Sequence, residues 1–214
     1  MRKLSLTAVR ARAKREGWLR WLRSEADERA AQAGCYFSPR HADYVTEFFP
    51  ALLQHSKGQW AGKPFELLDW QRDELVQPLF GWLRPDGTRR YRKAFVEIPK
   101  KNGKSTLAAG IGLYLLVGDG EQGAEVYSAA ADRDQASIVH GEAIRMVDAS
   151  DSLSLVLKVN RSTHVITHPD SNSVYKALSS AAAGKEGLNA HGLIIDELHV
   201  WQGCELWDAL RYAG

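Results

Sequence analysis

The sequence has few cysteines, no long apolar run and little net charge, and each lack excludes a class of protein. Cys35 and Cys204 lie far apart, with no third thiol for a zinc site, so we expect reduced cysteines. The longest strongly apolar stretch, residues 107–117, is too short to cross a bilayer. Arg10 interrupts the apolar core that a signal peptide would need. A formal net charge of +2 leaves any attraction to nucleic acid to local clusters.

The 214 residues and 44% hydrophobic content suit one large domain with an appendage. Residues 1–36 read as a basic helical arm, and residues 37–214 as the main domain. Two interpretations of the arm are open. Its arginines could contact nucleic acid or an acidic partner, or the arm could be a solvated helix whose Trp18 and Trp21 pack on the domain.

A phosphate-binding loop is indicated at residues 95–106, where β-forming residues precede Asn102-Gly103-Lys104-Ser105-Thr106 and a helix-forming run follows. Such a strand, loop and helix can direct backbone N–H groups and a helix N-terminus at phosphate oxygens. Lys104 would add a mobile positive charge, and Ser105 a hydroxyl ligand for Mg²⁺. The nucleotide-binding consensus is met only in part, because Ile98 stands where its first glycine belongs.

A second element lies far downstream, where an apolar run ends in Asp196 and Glu197. This pattern is typical of a buried strand with acids at its tip. Asp196 could complete a Mg²⁺ shell, and Glu197 could orient or deprotonate an attacking water. His191 and His199 flank the strand, but their spacing fits no zinc helix, and we expect both to be structural.

The remaining pattern predicts an α/β fold with a central, mostly parallel sheet. Residues 124–131 read as a strand and residues 132–147 as a helix, and three short β-rich runs at 155–159, 164–167 and 173–178 suggest a meander. Parallel strands would bring both motifs to their shared carboxyl edge. Gln71 could read an adenine edge through its amide, or could be an ordinary glutamine on a surface helix.

In order and spacing, these motifs resemble the large terminase subunit of tailed double-stranded DNA phages, in its N-terminal packaging ATPase. The matching segments are residues 68–71, 79–82, 98–105, 128–136, 187–189 and 194–199. The resemblance implies a P-loop NTPase fold of the ASCE or RecA-like type behind a helical lead-in. It also accounts for the missing first glycine, since terminase P-loops commonly deviate there.

The resemblance further implies ATP and Mg²⁺ as cofactors. Lys104 and Ser105 would hold the β- and γ-phosphates and Mg²⁺, Asp196 would complete the metal shell, Glu197 would polarise the water and Gln71 would read adenine. The rest of the loop, with Lys100, Lys101, Asn102, Gly103 and Thr106, would line the nucleotide. Lys100 stands where the family often has arginine, which weakens a phosphate-sensing role there. A trans-acting arginine finger has no clear counterpart, since the segment before the acidic strand offers only Lys185 and Arg133 lies elsewhere.

The implied function is ATP-driven packaging of double-stranded DNA into proheads, by a ring of subunits that meets a portal protein and a small terminase subunit. This would take place in the bacterial host cytoplasm and transiently at the prohead portal, with no membrane involved. The coupling motif and the nuclease domain of the family would lie beyond Gly214. Three alternatives are a DExH-type helicase fragment, a P-loop kinase, and a non-catalytic nucleic-acid-binding module.

Overall fold

The computed structural model describes residues 3–99, 102–130, 133–178, 188–201, 207, 208 and 210. The chain divides into two compact units, which are unit 1 (Met1–Phe48 and Glu66–Glu97) and unit 2 (Phe49–Phe65 and Ile98–Gly214). The helices are α1 (Leu6–Arg15), α2 (Glu25–Gln32), α3 (Pro39–Leu52), α4 (Gln77–Gly81), α5 (Lys104–Leu113), α6 (Arg133–Ala149) and α7 (Asp151–Val156). The strands are β1 (Tyr36–Phe37), β2 (Trp82–Leu83), β3 (Glu125–Ala129), β4 (Lys158–Asn160), β5 (Val165–His168), β6 (Ser173–Leu178) and β7 (Ala190–Ile195). The segments Gln71–Val76 and Tyr114–Gly118 are π-helical.

The N-terminal residues of unit 1 fold around a cluster of aromatic side chains. Trp18 and Trp21 are buried, and the ring of Trp21 stacks on Phe37 with centroids 4.2 Å apart. Phe37 lies in β1, which pairs antiparallel with β2, and Trp82 of β2 joins the same cluster. Of the two interpretations of this segment, the structure therefore shows tryptophans packed in a core. The domain boundary at residue 36 stays a prediction.

Much of the positive charge in this segment is paired within unit 1. Arg10 lies 2.6 Å from Glu28, and Arg23 contacts both Glu74 and the ring of Trp21. These guanidinium groups already have partners, whereas a surface that binds nucleic acid would use them to contact phosphates. The segment thus presents less available charge than its arginine count indicates.

Unit 2 contains a five-stranded sheet in the order β4-β5-β6-β3-β7, within the described residues. Strand β3 pairs in parallel with both β6 and β7, whereas β4, β5 and β6 pair antiparallel. The α/β class is confirmed, but the prediction of a mostly parallel sheet is corrected to a mixed one. Tight turns cause the difference, because strands joined by a few residues can only run antiparallel.

The predicted meander is present as β4 to β6, with one change at its start. Residues of the first β-rich run up to Val156 belong to helix α7, whose N-cap Ser150 accepts a hydrogen bond from the Leu153 N–H. The cap satisfies a backbone donor that would otherwise lack a partner at the helix start, which favours helix over strand.

The strand predicted just before the phosphate-binding loop is not formed. Residues 91–99 have no strand pairing, and the side chain of Phe95 is 82% exposed. β-forming residues become a strand only when their N–H and C=O groups find a neighbouring ladder. Among the described strands, β7 is an edge strand of the five-stranded sheet.

Helix α5 packs closely on the sheet because glycine permits the approach. A Cβ at Gly112 would lie 2.8 Å from Ile194 of β7 and 2.9 Å from the Tyr175 ring of β6. The absence of a side chain at Gly112 therefore lets the C-terminal part of α5 lie close to β6 and β7.

Candidate functional site

The N-terminus of α5 has the features of an anion-binding helix end. Gly103 is its N-cap, in a left-handed conformation with φ of 75°, and the Leu107 N–H donates to its carbonyl at 2.9 Å. The N–H groups of the first turn, from Lys104 to Thr106, precede that first intrahelical bond and have no acceptor within the helix. No acidic residue stands in the first turn to balance the positive end of the helix dipole. A phosphate group would both accept hydrogen bonds from these N–H groups and supply the negative charge.

The acidic tip of β7 has an unusual backbone. The Asp196 N–H donates to the carbonyl of Ala129 at 3.0 Å, so the pairing with β3 continues one residue beyond the strand. Glu197 then adopts φ of 48° and ψ of 44°, a left-handed conformation that is unfavourable for a residue with a side chain. Its N–H donates to the Asp196 carboxylate at 3.0 Å. Backbone strain of this kind tends to occur where a side chain must point in a defined direction.

The structure brings Lys104, Asp196 and Glu197 together in unit 2. The Lys104 ammonium lies 3.0 Å from Oδ1 of Asp196 and donates a short hydrogen bond to Oε1 of Glu197. Partial burial would lower the pKa of Lys104, but the hydrogen bonds and charges of Glu197 and Asp196 outweigh it and hold that pKa above its usual value. The lysine is therefore fully charged, and the two acids hold its ammonium group near the N-terminus of α5.

The three side chains differ in their access to solvent. Asp196 is 12% exposed, whereas Lys104 and Glu197 are each 34% exposed. A ligand can thus reach the ammonium and the Glu197 carboxylate directly. This lysine, held between two acids beside a helix N-terminus, forms a place where a phosphate chain and a divalent cation can be bound together.

The other predicted site residues are only partly placed. Ser105 and Thr106 are half-buried in the first turn of α5, and Asn102 is exposed, with its amide donating to the Pro99 carbonyl at 3.1 Å. Gln71 belongs to unit 1 and is buried, and its amide oxygen accepts the Leu68 N–H at 3.0 Å. Lys100, Lys101 and Lys185 lie outside the described residues, as does the side chain of Arg133. The roles assigned to these residues stay predictions.

Two contacts of this site were not expected from the sequence. Nδ1 of His199 lies 3.3 Å from Oε2 of Glu197, and the indole N–H of Trp201 donates to the Asp196 carbonyl at 3.2 Å. His199 lies in the short turn Leu198–Val200 and Trp201 comes directly after it, so proximity to the acids in sequence was the available signal. His191, at the other end of β7, pairs with Asp119 at 2.7 Å.

The donor set suits a Mg²⁺ ion held together with phosphates. Within the described part of the chain, no three His, Cys, Asp or Glu side chains gather into a metal cage. Magnesium commonly takes only one or two protein oxygens and fills its shell with phosphate oxygens and water. The Ser105 hydroxyl and the Asp196 carboxylate are of that type. Among the same residues, no helix is long and apolar enough to span a bilayer.

Comparisons with known proteins agree on one family. The family described as "Terminase large subunit, ATPase domain" matches residues 69–213. The large terminase subunit of Enterobacteria phage HK97 is 34% identical over 154 residues, which cover 72% of this chain and 29% of that protein. The crystal structure of the HK97 bacteriophage large terminase superposes with a TM-score of 0.68 at 29% identity, covering 80% of this chain and 34% of that one. The chain thus spans about a third or less of the length of these relatives.

Proposed function

Because the chain belongs to the terminase large-subunit family, through its ATPase domain, we propose that it binds and hydrolyses ATP to drive DNA packaging. The observation that carries the proposal is the contact of Lys104 with Asp196 and Glu197 at the N-terminus of α5. Within unit 2, this arrangement combines a lysine ammonium, helix N–H groups that have no acceptor within the helix, and two carboxylates. Family membership also favours a packaging motor over a DExH helicase fragment or a P-loop kinase.

Each residue of the site has a proposed part in ATP hydrolysis by a P-loop NTPase of the ASCE type. Lys104 would exchange its acid partners for the β- and γ-phosphate oxygens, and Ser105 and Asp196 would hold Mg²⁺. Mg²⁺, when bound, offsets phosphate charge and stabilises the charge that develops on the leaving oxygen. Glu197, released from Lys104, orients a water and accepts its proton.

The other loop residues, Lys100, Lys101, Asn102, Gly103 and Thr106, would surround the phosphates. Gln71 would recognise adenine through its amide, although its oxygen already accepts a backbone hydrogen bond in this structure. Lys185 and Arg133 are the two candidates for a trans-acting finger.

The partners follow from the proposed motor. They are double-stranded DNA, a ring of identical subunits, a small terminase subunit and a portal protein, in the cytoplasm of a bacterial host and at the prohead. We assign nuclease activity to no residue of this chain, whose match covers 29% of the HK97 relative.

Nucleotide binding to Lys104→Ala tests the proposal. We expect the affinity for a non-hydrolysable ATP analogue with Mg²⁺, measured by calorimetry, to fall about 10- to 100-fold, because a charged hydrogen bond to phosphate is lost. Lys158→Ala, which removes an exposed lysine of β4, serves as the matched control and should bind as the parent does. Equal affinity of the Lys104→Ala variant and the parent would contradict the proposal. Retained DNA binding in that case would favour the non-catalytic nucleic-acid-binding module.

A further inference from the structure

We propose that Trp201 is a positioning residue of the ATPase site, which fixes the direction in which Asp196 and Glu197 present their carboxylates. The inference rests on the proposed function, and it adds a residue that lies outside both nucleotide motifs. Trp201 acts through the backbone of the acidic tip, without touching nucleotide or metal.

The indole of Trp201 holds the peptide group that joins the two acids. Its N–H donates to the Asp196 carbonyl at 3.2 Å, while the Asp196 N–H donates to Ala129 of β3 at 3.0 Å. Both backbone polar groups of Asp196 are therefore engaged, one by the sheet and one by the indole. Rotation of the peptide that follows Asp196 would break the indole bond.

That peptide group needs such a restraint because of the residue after it. Glu197 is held in the left-handed region, which a residue with a Cβ leaves readily when nothing opposes it. The peptide plane before Glu197 and its own φ together set where the carboxylate points. Fixing the Asp196 carbonyl thus helps to keep Glu197 aimed at Lys104, where the structure places it.

The local chain path and the core explain how Trp201 comes to hold this position. The Val200 N–H donates to the Glu197 carbonyl at 3.0 Å and the Trp201 N–H to the Leu198 carbonyl, so a tight turn brings Trp201 back onto the tip. Its ring then packs against an apolar cluster of unit 2, composed of Tyr127, Ala129, Leu178 and Leu210. Packing of a large flat ring makes the donor rigid, as a supporting residue requires.

Three tryptophan variants test the proposal. Trp201→Phe keeps an aromatic ring but loses the N–H donor, and Trp201→His restores a ring N–H in a smaller side chain. Trp18→Phe is the matched control, because it also loses one indole hydrogen bond, to Glu16 at 3.0 Å, but lies in unit 1. For each variant, the affinity for an ATP analogue is measured with Mg²⁺ and in EDTA, together with single-turnover hydrolysis and the melting temperature.

We expect Trp201→Phe to bind the analogue in EDTA within about twofold of the parent. The extra affinity that Mg²⁺ provides, and the hydrolysis rate, should each fall about tenfold or more, the usual effect of losing a residue that orients metal and catalytic groups. Trp201→His should recover part of both losses, and Trp18→Phe should match the parent in both.

Several results would overturn the proposal. A Trp201→Phe variant with the Mg²⁺ dependence and turnover of the parent would show that the hydrogen bond has no role. If Trp201→His is no better than Trp201→Phe, or if binding with and without Mg²⁺ falls together with the melting temperature, Trp201 serves packing alone. A parent chain that binds no nucleotide would overturn both the proposed function and this inference. If the parent binds nucleotide and only the Trp201 results disagree, the inference about Trp201 is wrong and the proposed function stands.

Discussion

Replacing Glu197 by glutamine should tighten nucleotide binding while it stops hydrolysis. In the structure, Glu197 and Asp196 both hold the ammonium of Lys104, so a triphosphate must compete with two carboxylates for the same cation. The amide of glutamine occupies the same volume but carries no charge. Lys104 would then be released from Glu197 at less cost, and the incoming phosphates would meet one negative charge fewer.

The exposure of the pair sets the size of the effect. Both side chains are 34% exposed, and ion pairs this accessible to water contribute about 0.2–1 kcal/mol. Removing the pair should therefore raise the affinity for an ATP analogue about 1.5- to 5-fold, since 1.4 kcal/mol corresponds to tenfold. Hydrolysis should fall about 10²- to 10⁴-fold, the usual contribution of a general base.

Calorimetric titration with the analogue and Mg²⁺ measures the first quantity, and single-turnover hydrolysis with protein in excess measures the second. Glu121→Gln is the matched control, because it makes the same charge change at an exposed position of unit 2. Weaker binding by Glu197→Gln, with the control unchanged, would refute the idea that Glu197 competes with phosphate for Lys104. If Glu197→Gln hydrolyses ATP at the parental rate, Glu197 is not the general base.

Three further predictions concern stability. Gly112→Ala should lower the free energy of unfolding by about 1–2 kcal/mol in urea titrations, because the new methyl meets the buried Tyr175 ring at 2.9 Å and the gain in helix propensity is smaller. Gly141→Ala, whose Cβ would have its nearest neighbour at 3.6 Å, should instead stabilise by up to about 1 kcal/mol, and equal effects at both positions would contradict the packing seen here. Burial lowers the pKa of His140 to about 4, so the unfolded chain takes up a proton first as pH falls below about 6.5. The free energy of unfolding should then drop by about 2 kcal/mol between pH 7 and pH 5, and a His140→Gln variant that shows the same drop would refute this source. Asp27→Asn should cost about 1–3 kcal/mol in thermal unfolding, because this buried carboxylate accepts hydrogen bonds from an arginine and a tyrosine, and an unchanged melting temperature would argue against it.

Local residue preferences were sufficient for several elements near the site. Helix α5 begins directly after Gly103, as expected where a glycine precedes a run of good helix formers. Strand β7 ends just before Asp196, where apolar residues give way to acids, and β6 covers the same residues as the run that predicted it. In each case the information lies within a few neighbouring residues, so a short window of sequence contains it.

Other features depended on partners distant along the chain. The β-forming residues around Phe95 remain unpaired, and the sheet turned out mixed, because strand pairing depends on which neighbours are available. The hydrogen bond from Trp201 to Asp196 likewise depends on a turn and on the packing of an apolar cluster, and no sequence motif predicts either.

The amino-acid order alone was enough to recognise two nucleotide motifs and their family, because both motifs are short and contiguous. Only the folded chain established that Lys104 meets Asp196 and Glu197, and that Glu197 is held in a left-handed conformation. Contacts between residues so far apart depend on how α5 packs on the sheet, which is the sum of many weak contacts across unit 2. This packing is fixed only in the folded chain. The sequence therefore identified the two acids, but it could not give their positions relative to Lys104.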